Sequence, residues 1–105
     1  MVRILLCCAA GMSTSLLVTK MENSAKERGI EAKIWAVSEK NVDSEEGNYD
    51  VLLVGPQIRY KLKELEKKCE GKCPVSMIDM KDYGRMDGEK VLDLGLKLYN
   101  DYYNK

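Results

Sequence analysis

The chain has 105 residues, of which 45% are hydrophobic and 32% charged, and its 17 basic residues balance its 17 acidic ones. This size and composition are typical of one globular domain, spanning residues 1–105, with enough apolar side chains for a core. The zero net charge argues against nucleic-acid binding. No apolar run is long enough to cross a membrane and no secretory signal is visible, so we expect a cytoplasmic location.

The first predicted elements are a strand, a helix and a second strand. The apolar run at residues 2–7 predicts a buried strand. A helix starting near Ser13 follows, and Arg28-Gly29 predicts its end. Residues 31–37 alternate in polarity, which is typical of an edge strand, and the charged stretch 38–48 predicts a short helix or a loop. The inward stripe of the first helix is formed by Leu17, Met21 and Ala25.

The second half of the chain continues the alternation of strands and helices. Residues 51–54 are uniformly apolar and predict a third strand, after which Pro56 favours the start of a helix. Residues 75–78 predict the fourth strand. A last helix is expected over 88–103 with Asp87 as its N-cap. Its apolar face contains Val91, Leu92, Leu98, Tyr99 and Tyr102.

Strands that alternate with helices form a parallel sheet covered on both faces. The first and third strands are the most uniformly apolar and should be central, which gives the strand order 2-1-3-4. We therefore predict an α/β fold: an open four-stranded parallel sheet with helices on both faces, a three-layer sandwich of the Rossmann or flavodoxin-like type. Ligands of such sheets bind where the strand order reverses, here between the loops at 8–15 and 55–57.

The loop after the first strand combines a thiol with small and hydroxyl side chains. Its sequence is Cys8-Ala9-Ala10-Gly11-Met12-Ser13-Thr14-Ser15. A helix N-terminus presents unpaired N–H groups and the positive end of its dipole to an anion. Small residues let the backbone approach that anion, and the three hydroxyls add donors. We predict a phosphate site formed by residues 9–15, with the sulfur of Cys8 holding a phosphoryl group.

Four cysteines and no histidine limit the chemistry of the chain. Without an imidazole there is no Cys–His dyad, so Cys8 has to be activated by its surroundings. Cys69 and Cys73 have a spacing that metal sites also use, but with no second pair we predict thiols near a helix end and no metal. Strand alternation turns Cys7 away from the loop. Neither Gly-x-Gly-x-x-Gly nor a Walker lysine is present, so we predict no cofactor.

Three segments form an ordered set of motifs that covers essentially the whole chain. They are Cys-Ala-Ala-Gly-Met-Ser-Thr-Ser-Leu-Leu at 8–17, Leu-Val-Gly-Pro-Gln-Ile-Arg-Tyr at 53–60, and Asp-Met-Lys-Asp-Tyr-Gly-Arg-Met-Asp-Gly at 79–88. This set resembles the enzyme IIB family of the bacterial sugar phosphotransferase system, in its lactose/cellobiose branch, which includes the chitobiose-type members. The resemblance implies an open four-stranded parallel sheet and a transiently phosphorylated cysteine, which maps onto Cys8.

The same resemblance implies two protein partners. The phosphoryl group would arrive from a phosphohistidine of a IIA protein and leave to a sugar, such as cellobiose, chitobiose or lactose, held by the membrane-embedded IIC component. The chain would therefore meet the membrane only through IIC. Gln57, Tyr60 and Tyr83 are candidates for the border of the site. We expect a monomer because no apolar stripe is left over after the core is built.

Other functions stay open at this level. A small cysteine-dependent phosphatase uses similar geometry, but it needs an Arg six residues after the nucleophile, where this chain has Thr14. A thiol redox or sensor protein would use Cys7-Cys8 or the pair Cys69 and Cys73, neither of which has Cys-x-x-Cys spacing. A non-catalytic phosphate-binding module, or a plain helix cap at Ser13 with Cys8 packed beside it, is the simplest alternative.

Overall fold

A computed structural model describes residues 1–9 and 12–104, and of Met12 and Ser13 only the backbone. Four strands alternate with helices along the chain. The strands are β1 (Val2–Cys8), β2 (Ala32–Ser38), β3 (Val51–Val54) and β4 (Val75–Met77). The helices are α1 (Met12–Glu27), α2 (Leu62–Cys69), α3 (Met80–Gly84) and α4 (Gly88–Tyr103). Short 3-10 segments cover Glu39–Asn41, Asp43–Glu45 and Pro56–Lys61.

The four strands form one parallel sheet in the order β2-β1-β3-β4, which confirms the predicted topology. The two central strands are the apolar ones, because their side chains are covered on both faces. β2 lies at an edge, and most of its residues are only half-buried. The reversal of strand order between β1 and β3 brings the loops after these two strands together at the carboxyl end of the sheet.

Alternation along β1 divides the core into two apolar layers. Ile4 and Leu6 face one layer, and Leu5 and Cys7 face the other. The first layer is completed by α1 and α4, and the second by α2 and the segment after β3. Buried side chains of the first layer include Leu17, Met21, Ala25, Val91 and Leu92, and those of the second include Leu52, Val54, Ile58 and Leu65. Helices therefore cover both faces of the sheet, as predicted.

The ends of the long helices follow their sequence signals. α1 ends before Gly29, which has a φ of 69°, and Ile30 N–H donates to the Ala25 carbonyl at 2.9 Å. This is the left-handed glycine turn that satisfies the last helical carbonyls. At α4 the Asp87 carboxylate accepts a 3.1 Å hydrogen bond from Lys90 N–H, which confirms Asp87 as the N-cap.

One local prediction is confirmed, two need correction, and one helix was not predicted. The stretch at 38–48 forms two short 3-10 helices, in agreement with the predicted short helix or loop. The helix after Pro56 begins as a 3-10 segment, in which the fully buried Ile58 leaves helical geometry with a φ of −116°. β4 ends one residue earlier than predicted. α3 was not predicted at all: five residues are too few to show helical periodicity, and the helix depends on the Asp79 carboxylate, which accepts from Lys81 and Asp82 N–H.

Candidate functional site

Cys8 is the last residue of β1 and lies at the reversal point of the sheet. The chain then passes to α1, which begins at Met12 and has no acidic residue in its first turn to offset the positive end of its dipole. Cys8 is 1% exposed, and its thiol donates a long 3.9 Å hydrogen bond to the Val37 carbonyl of the neighbouring strand. The sulfur therefore lies against the edge strand, close to the amino end of a helix.

Gly55 lets the loop after β3 approach Cys8. Its N–H donates to the Cys7 carbonyl at 2.8 Å, which continues the strand pairing beyond Val54. A Cβ at position 55 would lie 3.6 Å from the Cys8 Cβ and 2.5 Å from the Gln57 Oε1. Glycine at this position leaves room for the Gln57 side chain, which a Cβ at position 55 would displace. Gly55 is part of the sequence motif at 53–60, but the motif alone did not predict this steric role.

A chain of neutral hydrogen bonds connects three elements beside Cys8. The Gln57 amide donates to the Tyr83 hydroxyl at 2.7 Å. That hydroxyl lies 3.2 Å from Thr14 Oγ1, and either oxygen can be the donor. Thr14 is 1% exposed in the first turn of α1, and Tyr83 is buried on α3. We call Thr14, Gln57 and Tyr83 the hydroxyl–amide network. It ties the start of α1 to the segment after β3 through a helix that sequence periodicity did not reveal.

The remaining predicted site residues divide into three groups. Ala9 is exposed directly after Cys8, and Ser15 is exposed on α1. Ala10 and Gly11 lie outside the described residues, as do the side chains of Met12 and Ser13. Tyr60 is 71% exposed and is not part of the hydroxyl–amide network. The structure therefore brings Tyr83 into contact with Thr14 at the start of α1 and Gln57 into contact with Tyr83, whereas Tyr60 lies outside this network.

Cys7 is a second thiol next to Cys8, and burial sets both its position and its acidity. Its side chain is buried in the second core layer with Leu5 and Ile58. Burial raises the pKa of the Cys7 thiol to about 12, with smaller contributions from Cys8 and Glu39. At neutral pH this thiol is protonated, and a protonated thiol is a poor nucleophile. Cys7 is therefore a core residue, as strand alternation predicted.

Two further features bear on cofactors and membranes. Within residues 1–9 and 12–104, no three or more cysteine, aspartate or glutamate side chains gather where they could hold a metal ion. The helices in the same part of the chain are all too short or too polar to cross a membrane.

Comparison with known proteins identifies the family. The family model described as "PTS system, Lactose/Cellobiose specific IIB subunit" matches residues 3–94. The chain is 43% identical over 99 residues to the PTS system oligo-beta-mannoside-specific EIIB component of Bacillus subtilis (strain 168), covering 93% of this chain and 96% of that protein. It is 44% identical over 103 residues to the PTS system cellobiose-specific EIIB component of Lactococcus lactis subsp. lactis (strain IL1403), covering 92% and 95%.

A solved structure agrees with these sequence relatives. The solution structure of the cellobiose-specific phosphotransferase IIB component protein from Borrelia burgdorferi superposes with a TM-score of 0.80 at 42% identity, covering 95% of this chain and 93% of that one. The fold described above is thus shared with a chain that is related to this one over nearly its whole length. This protein belongs to the lactose/cellobiose-specific IIB family of the sugar phosphotransferase system.

Proposed function

We propose that the chain is a phosphoryl carrier in which Cys8 accepts a phosphoryl group from a phosphohistidine of a IIA partner and passes it to a sugar bound by a membrane IIC partner. Members of the family serve sugar phosphotransfer together with IIA and IIC components. The observation that carries the proposal is the position of Cys8, at the end of β1 and beside the amino end of α1. A nucleophilic sulfur and an anion-binding helix end therefore meet at one point.

The proposed transfer is an in-line displacement at phosphorus. The Cys8 thiolate attacks, an S–P bond forms, and the N–P bond to the donor histidine breaks, so the imidazole leaves with the bonding electron pair. Backbone N–H groups of residues 9–15 would hold the phosphoryl oxygens, and the dipole of α1 would favour the added negative charge. Positioning and charge stabilisation supply most of the catalysis in such reactions. In the second transfer a sugar hydroxyl is the nucleophile and Cys8 is the leaving group: the S–P bond breaks, and the sulfur keeps the bonding electron pair.

Transfer also requires the sulfur to become accessible. Cys8 is 1% exposed, and its thiol hydrogen bonds to the Val37 carbonyl. Sulfur is a weak hydrogen-bond donor, so this 3.9 Å contact offers little resistance to a side-chain rotation. We propose that docking of the donor is accompanied by rotation of the Cys8 side chain away from Val37 and toward the phosphoryl group.

The hydroxyl–amide network supports this site as a set of positioning residues. Thr14 belongs to the predicted phosphate loop, yet its hydroxyl is buried against Tyr83. We therefore propose that Thr14 holds the first turn of α1 in place, and that phosphate contacts from this segment come from its backbone. Gln57 and Tyr83 fix the same turn relative to the end of β3.

The sugar is proposed only as a class. Relatives named for oligo-beta-mannosides and for cellobiose are 43% and 44% identical to this chain, so overall identity does not distinguish between them. We propose a β-linked disaccharide such as cellobiose, chitobiose or lactose, with its choice made by the IIC component. We further propose that the chain acts as a cytoplasmic monomer.

A phosphatase is the less favoured function. The Arg that would clamp a free phosphate six residues after the nucleophile is replaced by Thr14, and residues 8–15 contain no other Arg. A site without this clamp is suited to a phosphoryl group delivered by a docked protein.

The test is a two-step transfer assay. The chain is incubated with radiolabelled phospho-IIA, separated from it, and then added to membranes containing a matched IIC with one candidate sugar at a time. The proposal predicts label on the chain in the first step and label on one sugar in the second. Label that passes from IIA to sugar without the chain, or release of inorganic phosphate from an aryl phosphate by the chain alone, would overturn it.

A further inference from the structure

A second pair of thiols lies at the opposite end of the sheet from Cys8. α2 ends at Cys69, and Gly71, with a φ of 76°, turns the chain so that Cys73 N–H donates to the Cys69 carbonyl at 3.1 Å. Cys73 directly precedes Pro74, whose carbonyl accepts from Leu52 N–H at the start of the pairing between β3 and β4. Cys69 is 4% exposed and Cys73 is 8% exposed. The turn therefore brings two nearly buried thiols together, away from the phosphoryl site.

The two sulfurs have unequal environments. The Tyr49 hydroxyl lies 3.6 Å from the Cys69 sulfur, and Cys73 follows on the same turn. The neighbouring Cys73 and the Tyr49 hydroxyl, together with the nearby Lys72, lower the pKa of the Cys69 thiol against the opposing effects of burial and of Glu46. The neighbouring Cys69 and burial raise the pKa of Cys73. Cys69 is therefore the more acidic thiol of the pair.

A cavity of about 410 Å³ is lined by both cysteines. It lies between α2 and the segment at 42–49, with Tyr49, Leu65 and Val42 among its lining residues. Two ion pairs connect its walls: Lys68 to Asp43 at 3.1 Å and Lys72 to Glu46 at 2.5 Å. A small oxidant can reach the thiols through this cavity, whereas their low exposure excludes a large protein partner.

We propose that Cys69 and Cys73 form a reversible disulfide in response to hydroperoxides, with Cys69 as the attacking thiol and Cys73 as the resolving thiol. The Cys69 thiolate attacks one peroxide oxygen and becomes a sulfenic acid, while the other oxygen leaves as hydroxide or alkoxide and takes up a proton. The Cys73 thiol then displaces the sulfenic oxygen as water, and an S–S bond forms. Two thiols are oxidised by one hydroperoxide, which is reduced to water and an alcohol, or to two waters when the oxidant is hydrogen peroxide.

This modification is separate from phosphoryl transfer. The disulfide would close the turn between α2 and β4 covalently and remove the anionic acceptor of the Tyr49 hydroxyl. Cys8 lies at the carboxyl end of the sheet, so its chemistry does not need either thiol. The disulfide proposal therefore does not depend on the proposed carrier function.

The native chain is treated with hydrogen peroxide at neutral pH, its free thiols are blocked with an alkylating agent, and it is digested with trypsin. Because Lys68, Lys72 and Lys81 flank the two cysteines, the disulfide joins peptide 69–72 to peptide 73–81. These two linked peptides should be the first disulfide product to accumulate, and they should separate after reduction. Full alkylation of both cysteines in the peroxide-treated folded chain, or a disulfide that instead involves Cys7 or Cys8, would overturn the proposal.

Two variants test the assigned roles. Cys73→Ser should lose the linked peptides and accumulate a sulfenic acid on Cys69 that reacts with dimedone. Tyr49→Phe should oxidise severalfold more slowly, because the thiolate loses one hydrogen-bond donor. Far-ultraviolet circular dichroism establishes that each variant is folded. Dimedone labelling of Cys73 in preference to Cys69 in the native chain would contradict the assignment.

Discussion

The side-chain amide of Gln57 donates a 2.7 Å hydrogen bond to the hydroxyl of Tyr83. The two residues belong to different segments, one directly after β3 and the other on α3, and Thr14 extends the network into α1 at 3.2 Å from the same hydroxyl. Because the network is neutral, it ties the amino end of α1 to α3 without placing a charge beside the proposed phosphoryl site. This relationship gives the first prediction.

Tyr83→Phe should slow phosphoryl acceptance by about tenfold, since α1 loses a link to the segment after β3. It should also lower the free energy of unfolding by about 1–3 kcal/mol, because the buried Thr14 hydroxyl loses a hydrogen-bond partner. Urea unfolding and the rate of labelling by phospho-IIA measure the two effects. Tyr60→Phe is the matched control, because Tyr60 is 71% exposed. Equal rates for the two variants would show that the network has no role in transfer.

Gly55→Ala should slow labelling by phospho-IIA while the chain stays folded. The new Cβ would lie 2.5 Å from Gln57 Oε1, so the Gln57 side chain has to move, and we expect this movement to weaken its hydrogen bond to Tyr83. Gly84→Ala is the control, because a Cβ at position 84 meets no atom within 4 Å. We expect a reduction of about tenfold in the labelling rate for Gly55→Ala only. A wild-type rate in a folded Gly55→Ala protein would contradict the steric role of Gly55.

Asp50→Asn should reduce stability at neutral pH by about 1 kcal/mol, since a partly buried ion pair and its hydrogen bonds are weakened. The Asp50 carboxylate pairs with the Arg3 guanidinium at 2.8 Å and also accepts from Arg3 N–H at 2.9 Å. Burial raises the pKa of Asp50, but the hydrogen bonds from Arg3 outweigh it, so the net pKa is lowered from 3.8.

The sign of the pH dependence follows from this lowered pKa. The folded state binds a proton less readily than the unfolded state, so the stabilisation is complete above the unfolded pKa of 3.8 and is lost as the pH falls through the lower folded pKa. Unfolding measured between pH 7 and pH 2.5 should therefore show that wild type and Asp50→Asn converge in acid. Asp93→Asn removes an exposed partner of Arg28 and serves as the control. Curves for wild type and Asp50→Asn that stay parallel would refute this account of the pair.

Sequence patterns predicted the fold well where apolar periodicity was strong. The uniform runs of β1 and β3 identified the central strands, and Asp87 and Gly29 marked helix ends through local backbone chemistry. The patterns failed where tertiary contacts decide local structure. The helix α3 was missed because it depends on the Asp79 cap and on burial of Tyr83. Neither contact leaves a periodic signal.

The candidate site was predicted in outline and not in its contacts. The thiol at the end of β1 and the small and hydroxyl residues after it were readable because strand end, loop and helix start are adjacent in sequence. The hydroxyl–amide network could not be predicted from sequence patterns, since Thr14 and Tyr83 lie 69 positions apart and come into contact only when the chain is folded. For the same reason, proximity of Cys69 and Tyr49 had no counterpart in the sequence patterns.

The central claim is that Cys8, and no other residue, carries the phosphoryl group. The most direct test is the intact mass of the chain after incubation with phospho-IIA, followed by peptide mapping at mildly basic pH, where the S–P bond survives. Trypsin leaves Cys7 and Cys8 on one peptide, residues 4–20, so Cys7→Ala and Cys8→Ser are measured in parallel. The account predicts one added phosphoryl group in wild type and Cys7→Ala and none in folded Cys8→Ser. A phosphoryl group retained by Cys8→Ser, or lost from folded Cys7→Ala, would contradict it.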